Sequence, residues 1–152
     1  MHLDEYVALF GLLAADCEGR ILEYGRVSKV MQVSWNGFNQ PVTCCPPNSS
    51  AVLPYPDFAF DLALCPDYLF SDEEHQTIEF HLKQIIELAR VAKEVRIFPL
   101  SDSQGVSSPL LGPVLLGLQQ ENYGIEVRDV TIFLHPKGSA MLRVWAQQCH
   151  VS

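Results

Sequence analysis

Positive charge is scarce and nowhere concentrated in this chain. Lys and Arg number 10 against 18 Asp and Glu, a net charge of −8, and the basic residues come as isolated pairs such as Arg90 with Lys93. Binding a nucleic-acid backbone draws on clustered cations, so nucleic acid is not an expected partner. An anionic membrane surface is excluded on the same ground. No apolar run reaches the roughly 18 residues of a spanning helix. Residues 1–15 lack the basic start and small-residue cleavage site of a signal peptide, so the expected location is the cytoplasm. The five cysteines (Cys17, Cys44, Cys45, Cys65, Cys149) are an odd number without C-x-x-C spacing. A zinc site is not expected from them; reduced, buried thiols are. Nor is there a Ser/His/Asp nucleophile motif, a phosphate-binding loop, an internal repeat or a low-complexity tract, so hydrolase and kinase chemistry have no support.

What the chain does have is apolar residues in periodic order. Its 152 residues, 48% of them hydrophobic, suffice for one domain, 1–152, with a full core. Asp4 can cap a first helix within 1–18, with Tyr6, Val7, Phe10 and Leu13 on one face. Arg20–Tyr24 reads as a short strand closed by Gly25. Val27–Trp35 can form a short helix before the Asn36-Gly37 turn. Pro41–Cys45 reads as a second strand, stopped by Pro46 and Pro47. Phe58–Leu64 is apolar apart from Asp61, which suits a central parallel strand covered on both faces.

Asp72–Lys93 is the clearest helix. Ser71 or Asp72 can cap it, and Ile78, Leu82, Ile85 and Ala89 form its stripe. Val95–Leu100 follows as a buried strand, Leu110–Gln120 as a helix ended by Gly124, and Ile125–Leu134 with Ala140–Trp145 as an antiparallel hairpin. Strands alternating with helices over 20–145 predict an α/β domain with a mostly parallel sheet of about six strands and right-handed crossovers. The closing antiparallel hairpin is the unusual feature.

Leu53-Pro54-Tyr55-Pro56-Asp57-Phe58-Ala59-Phe60-Asp61-Leu62-Ala63-Leu64-Cys65 resembles the "LPFPDxSFDLVLC" element of class I, Rossmann-like S-adenosylmethionine (SAM)-dependent methyltransferases. Glu87-Leu88-Ala89-Arg90-Val91-Ala92-Lys93 is similar to the helix end "E-L-x-R-V-x-K" of the same family. The resemblance implies a three-layer fold whose last strand inserts antiparallel, and SAM as cofactor. It places Ile21–Ser28 at the family's strand-acid-x-G-x-G motif, where glycines let the backbone approach the cofactor. Glu23 and Gly25 match; Val27 stands where the second glycine is expected. Cys45 occupies the position of the family's ribose-binding acid. The stretch from Cys45 to Asp57 is too short for the usual helix, strand and helix, so that unit is deleted or survives as Ala51-Val52-Leu53.

The resemblance thus implies a cofactor site at Glu23, Tyr24, Gly25, Cys45, Cys65, Pro66 and Tyr68, at the carboxyl ends of strands, where open α/β sheets bind ligands. Each has a plainer reading: Gly25 as a tight turn, Glu23 as a strand-end charge, Tyr68 as core. His75 and His81 read first as a solvated and a packing residue and second as general bases. Ser101-Asp102-Ser103 reads as a polar loop before a substrate mouth. The expected function is methyl transfer from SAM to an unknown acceptor. The alternative is a relative without catalysis that acts as an interaction module, pairing as a homodimer through an exposed second strand, Val42 to Cys44.

Overall fold

The computed structural model describes residue 10 and residues 16–25, 42–47, 52–66, 68–70, 77–101, 107–129 and 140–147. A 3₁₀ turn, Asp16–Glu18, leads into β1 (Ile21–Tyr24), β2 (Thr43–Cys45), β3 (Phe60–Pro66), α1 (Ile78–Val91), β4 (Ala92–Phe98), α2 (Leu111–Gln120), β5 (Tyr123–Asp129) and β6 (Ala140–Ala146). The strands form one mixed sheet in the order β2-β1-β3-β4-β6-β5. β2, β1, β3 and β4 pair in parallel, and β6 inserts antiparallel between β4 and β5. The hairpin expected from the sequence is therefore present, folded into the sheet rather than appended to it. The first helix falls outside the described residues, apart from helical, buried Phe10, as do Val27–Trp35, Asn36-Gly37 and residues 130–139 of the expected hairpin.

Element boundaries differ from expectation for local reasons. Phe58 lies in a left-handed turn (φ 53°), and its N–H donates to Arg90 O at 2.8 Å, so β3 starts at Phe60. α1 is capped by Thr77, whose hydroxyl accepts from Phe80 N at 3.1 Å while its backbone is extended; that satisfies an orphan N–H of the first turn. The expected caps Ser71 and Asp72 are outside the described residues. α1 passes into β4 without a loop, because Ala92 already pairs with Phe60. Gly124 does not end α2: Asn122, at φ 67°, makes the stop. Gly124 sits inside β5, where a Cβ would come within 2.2 Å of the Trp145 indole. Val52 and Leu53 are in no strand.

Alternation gives the sheet two unlike faces. Leu22, Tyr24, Ala63, Cys65, Val95, Ile97, Leu142 and Val144 pack with Ile85, Leu88 and Ala89 of α1 and Val114 and Leu118 of α2. The opposite face carries charge. Arg96 and Arg143 lie directly across from each other on β4 and β6, an arrangement that repels. Glu94 sits between them, its two oxygens accepting one from each guanidinium, and Glu126 accepts from Arg143 at 3.0 Å. Buried Arg96 also donates to Phe10 O at 2.9 Å and to Asp16 at 3.2 Å, which ties the chain before β1 to the sheet. Among the described residues no helix is long and apolar enough to cross a membrane.

Candidate functional site

Parallel pairing brings the carboxyl ends of β1, β2 and β3 together, and the sheet order reverses at β1: the chain goes outward to β2 on one side, then returns to β3 on the other. Such a switch point is where open α/β sheets bind ligands. Six of the seven residues picked from the sequence follow directly from the register there: Glu23 opposite Cys44 and Leu64, Tyr24 opposite Cys45, then Gly25, with Cys65 and Pro66 closing β3. Tyr68 comes two residues later.

Their environments separate them. Gly25, half-buried, donates its N–H to Cys45 O at 3.3 Å. A Cβ on Gly25 would meet Pro66 O at 3.0 Å, so the glycine permits a close approach of two strand ends. Cys45 is half-buried and its thiol donates to Pro46 O at 3.5 Å. Beside it, burial and then the Cys45 thiol push the Tyr55 phenol above its ordinary pKa. Glu23 is only 1% exposed; it points to the charged face, where the Cys44 thiol donates to Oε1 at 3.8 Å. Tyr24, Cys65 and Tyr68 belong to the helix-side core. The Tyr24 hydroxyl donates to Gln84 Oε1 at 2.5 Å, and its ring meets the edge of Tyr68 at 5.9 Å.

Two contributors had no sequence signal. Gln84, buried in α1 outside the expected stripe, takes up the Tyr24 hydroxyl. Tyr55 stands beside Cys45 although it is ten positions further on. His81 is buried, accepts from Phe70 N at Nε2 (3.0 Å) and lies 2.9 Å from Thr77 O at Nδ1. That geometry puts the proton on Nδ1 and makes the ring the anchor of the turn after β3, not a base. His75, Asp102 and Ser103 fall outside the described residues; Ser101 is buried and bridges to Ser107. Among the described residues no group of three or more His, Cys, Asp or Glu side chains could hold a metal ion.

No family model matches the chain, and no curated protein does. Solved structures do match. A SAM-dependent methyltransferase from Methanosarcina mazei superposes with a TM-score of 0.53 at 12% identity, over 96% of this chain and 99% of that one. The chain has a class I methyltransferase-like fold. A SAM-dependent methyltransferase of Thermotoga maritima, described as a possible histamine N-methyltransferase, matches at a TM-score of 0.46 and 11% identity, over 95% of this chain and 94% of that one.

Within this methyltransferase-like fold, the segments that carry the sequence resemblance turn out to hold each other. Arg90 donates to both oxygens of Glu87 at 2.7 Å, to Asp57 at 2.8 Å and to Leu53 O at 3.2 Å. Glu87 in turn accepts from Leu53 N. The Arg90 hydrogen bonds hold the Glu87 carboxyl below its ordinary pKa. This latch sits where α1 meets the amino ends of β3 and β4, the opposite end of the sheet from the strand-end crevice.

Proposed function

We propose that this chain binds SAM or S-adenosylhomocysteine across the carboxyl ends of β1, β2 and β3 and transfers the methyl group to an acceptor. The observation that carries this reading is the sheet order, with β6 inserted antiparallel and a glycine at the end of β1 beside the switch point. Helices on the second face, completing three layers, and a cytoplasmic location are part of the same reading.

The fit to the cofactor is partial. Gly25 leaves backbone rather than side chain at the end of β1. Glu23, the described carboxylate at these strand ends, is buried and accepts from the Cys44 thiol, and Cys45 supplies none. What the described residues offer is therefore backbone and ring surface, without a carboxylate for the ribose hydroxyls. When bound, SAM brings a sulfonium that is already activated, so alignment is the main demand on the protein.

A second reading, a methyltransferase-like scaffold without the chemistry, draws on one observation: the space beside Gly25 is taken by the carbonyl of Pro66. Calorimetric titration with S-adenosylhomocysteine separates the two. Micromolar binding supports the cofactor site and justifies an acceptor screen. No heat at millimolar ligand refutes it and leaves the scaffold reading.

A further inference from the structure

The sheet ends in two unlike edges. The β2 edge, where the sequence suggested pairing, is only three residues long. The β5 edge runs for seven residues, Tyr123–Asp129. β5 is last in the strand order, so its outer backbone N–H and C=O groups have no sheet partner among the described residues. One residue past its midpoint Val127 is 47% exposed, a large apolar side chain on an unpaired edge, and a two-fold there pairs residues 125–129 of the two copies. Edges of this length are usually blunted by charge. Here the charges are arranged differently.

Glu126 and Arg128 flank Val127 on the charged face of the sheet, and with Asp129 and Arg143 of β6 they balance in sign. Most of a chain with net charge −8 repels a second copy; this edge does not. We propose that β5 pairs antiparallel with β5 of a second copy, about a two-fold axis at Val127 and perpendicular to the sheet. Val127 then faces Val127 of the partner subunit. Glu126 faces Arg128 of the partner subunit, and Arg128 faces Glu126 of the partner subunit, on the same side of a continuous sheet. Opposite charges directly across a pair favour it, and like charges oppose it. A parallel pairing in register would set Glu126 against its own copy. A slip of one residue would turn the second sheet over. The charges therefore select one register rather than block association. The cofactor reading plays no part in this inference.

The contact is confined to one strand, so association is weak and depends on concentration. Sedimentation velocity of the purified chain from about 10 to about 500 micromolar reads it directly, a range that brackets weak affinities. The expected result is a monomer that becomes a dimer across the series. Arg128→Glu sets Glu against Glu in both pairs, and a shift of at least tenfold toward monomer is expected, with an unchanged circular dichroism spectrum. If that variant does not fold, Val127→Cys provides the second test: oxidation at high concentration gives a dimer whose peptide map joins the two substituted positions to each other. A chain that stays monomeric throughout overturns the proposal. So does a dimer that ignores Arg128→Glu, or a disulfide that joins other cysteines in place of the two substituted ones.

Discussion

Replacing Arg90 with alanine tests whether the residues that carry the methyltransferase resemblance are scaffold or chemistry. The substitution removes two hydrogen bonds to Glu87, one to Asp57 and one to the Leu53 carbonyl. Asp57 is 71% exposed at its side chain, so that pair adds well under 1 kcal/mol. The Glu87 pair counts for more, because the carboxylate is 14% exposed and would be left half-buried with only Leu53 N as donor. Charge-assisted bonds of this kind contribute about 1.5–3 kcal/mol when sheltered; after discounting for the exposure of Arg90, the expected loss is about 2 kcal/mol. For a domain of this size that is a fall in Tm of about 4–8 °C. Arg90→Lys keeps the charge but not the planar fork and should fall between. Urea unfolding measures the loss, and titration with S-adenosylhomocysteine in parallel measures any effect on ligand. A loss of stability below about 0.5 kcal/mol, within the scatter of ordinary surface changes, would refute the latch. A tenfold loss of ligand affinity at unchanged stability would do so too, and would move Arg90 into the binding site.

Two further outcomes follow from the packing and the charges. Gly124→Ala places a Cβ within 2.2 Å of the Trp145 ring, so the indole has to leave its seat at a cost of about 1–3 kcal/mol. Tryptophan emission should shift to the red, and adding Trp145→Leu should recover most of the loss; unchanged emission and Tm would show that the ring does not cover Gly124. Burial pushes the Glu94 pKa up, but the hydrogen bonds from Arg143 and Arg96 outweigh it and hold it below the ordinary value of 4.5. A depressed folded-state pKa gives stability that is present above about 4.5 and lost as pH falls through the folded value. Glu94→Gln should therefore lower stability at neutral pH by about 2 kcal/mol and flatten the decline below pH 4.5 that wild type shows in urea titrations; a parallel decline in both proteins would mean that Glu94 is not its source.

Elements whose identity rests on pattern were legible in the sequence. The apolar run before Cys65 became β3 and the short turn-bounded run Ala140–Trp145 became β6, whereas of the expected stripe only Ile85 and Ala89 are buried in α1: Ile78 is exposed, and His81, Gln84 and Leu88 join the buried side. Boundaries set by single backbone conformations were not. Phe58 at positive φ carries no side-chain signal for that conformation; Asn122 does, since Asn tolerates the left-handed region at helix ends, but Gly124 looked like the helix stop because nothing in the sequence shows Trp145 lying across it. At the candidate site, six of the residues that the family resemblance implied lie at strand ends, but a position in a strand does not say which side chains a neighbour will bury. Tyr24 meets Gln84 and Tyr68, and Glu23 accepts from the Cys44 thiol, through contacts that join residues far apart in the chain.

This also explains why the family resemblance lies at one end of the sheet and the cofactor question at the other. The amino-end latch depends on side-chain chemistry: a guanidinium fork, two carboxylates and a fixed spacing of three between Glu87 and Arg90. Such a device leaves a pattern that can be read residue by residue. The crevice at the carboxyl ends is built from backbone, from Gly25 against the carbonyl of Pro66 and from the Cys45 carbonyl that accepts the Gly25 N–H. Backbone approach leaves only a glycine behind, and a glycine is compatible with a ligand cradle and with a closed strand junction alike. A sequence resemblance carried by the latch therefore supports the fold and is silent on the chemistry, which is decided by whether the Gly25–Pro66 junction admits the cofactor.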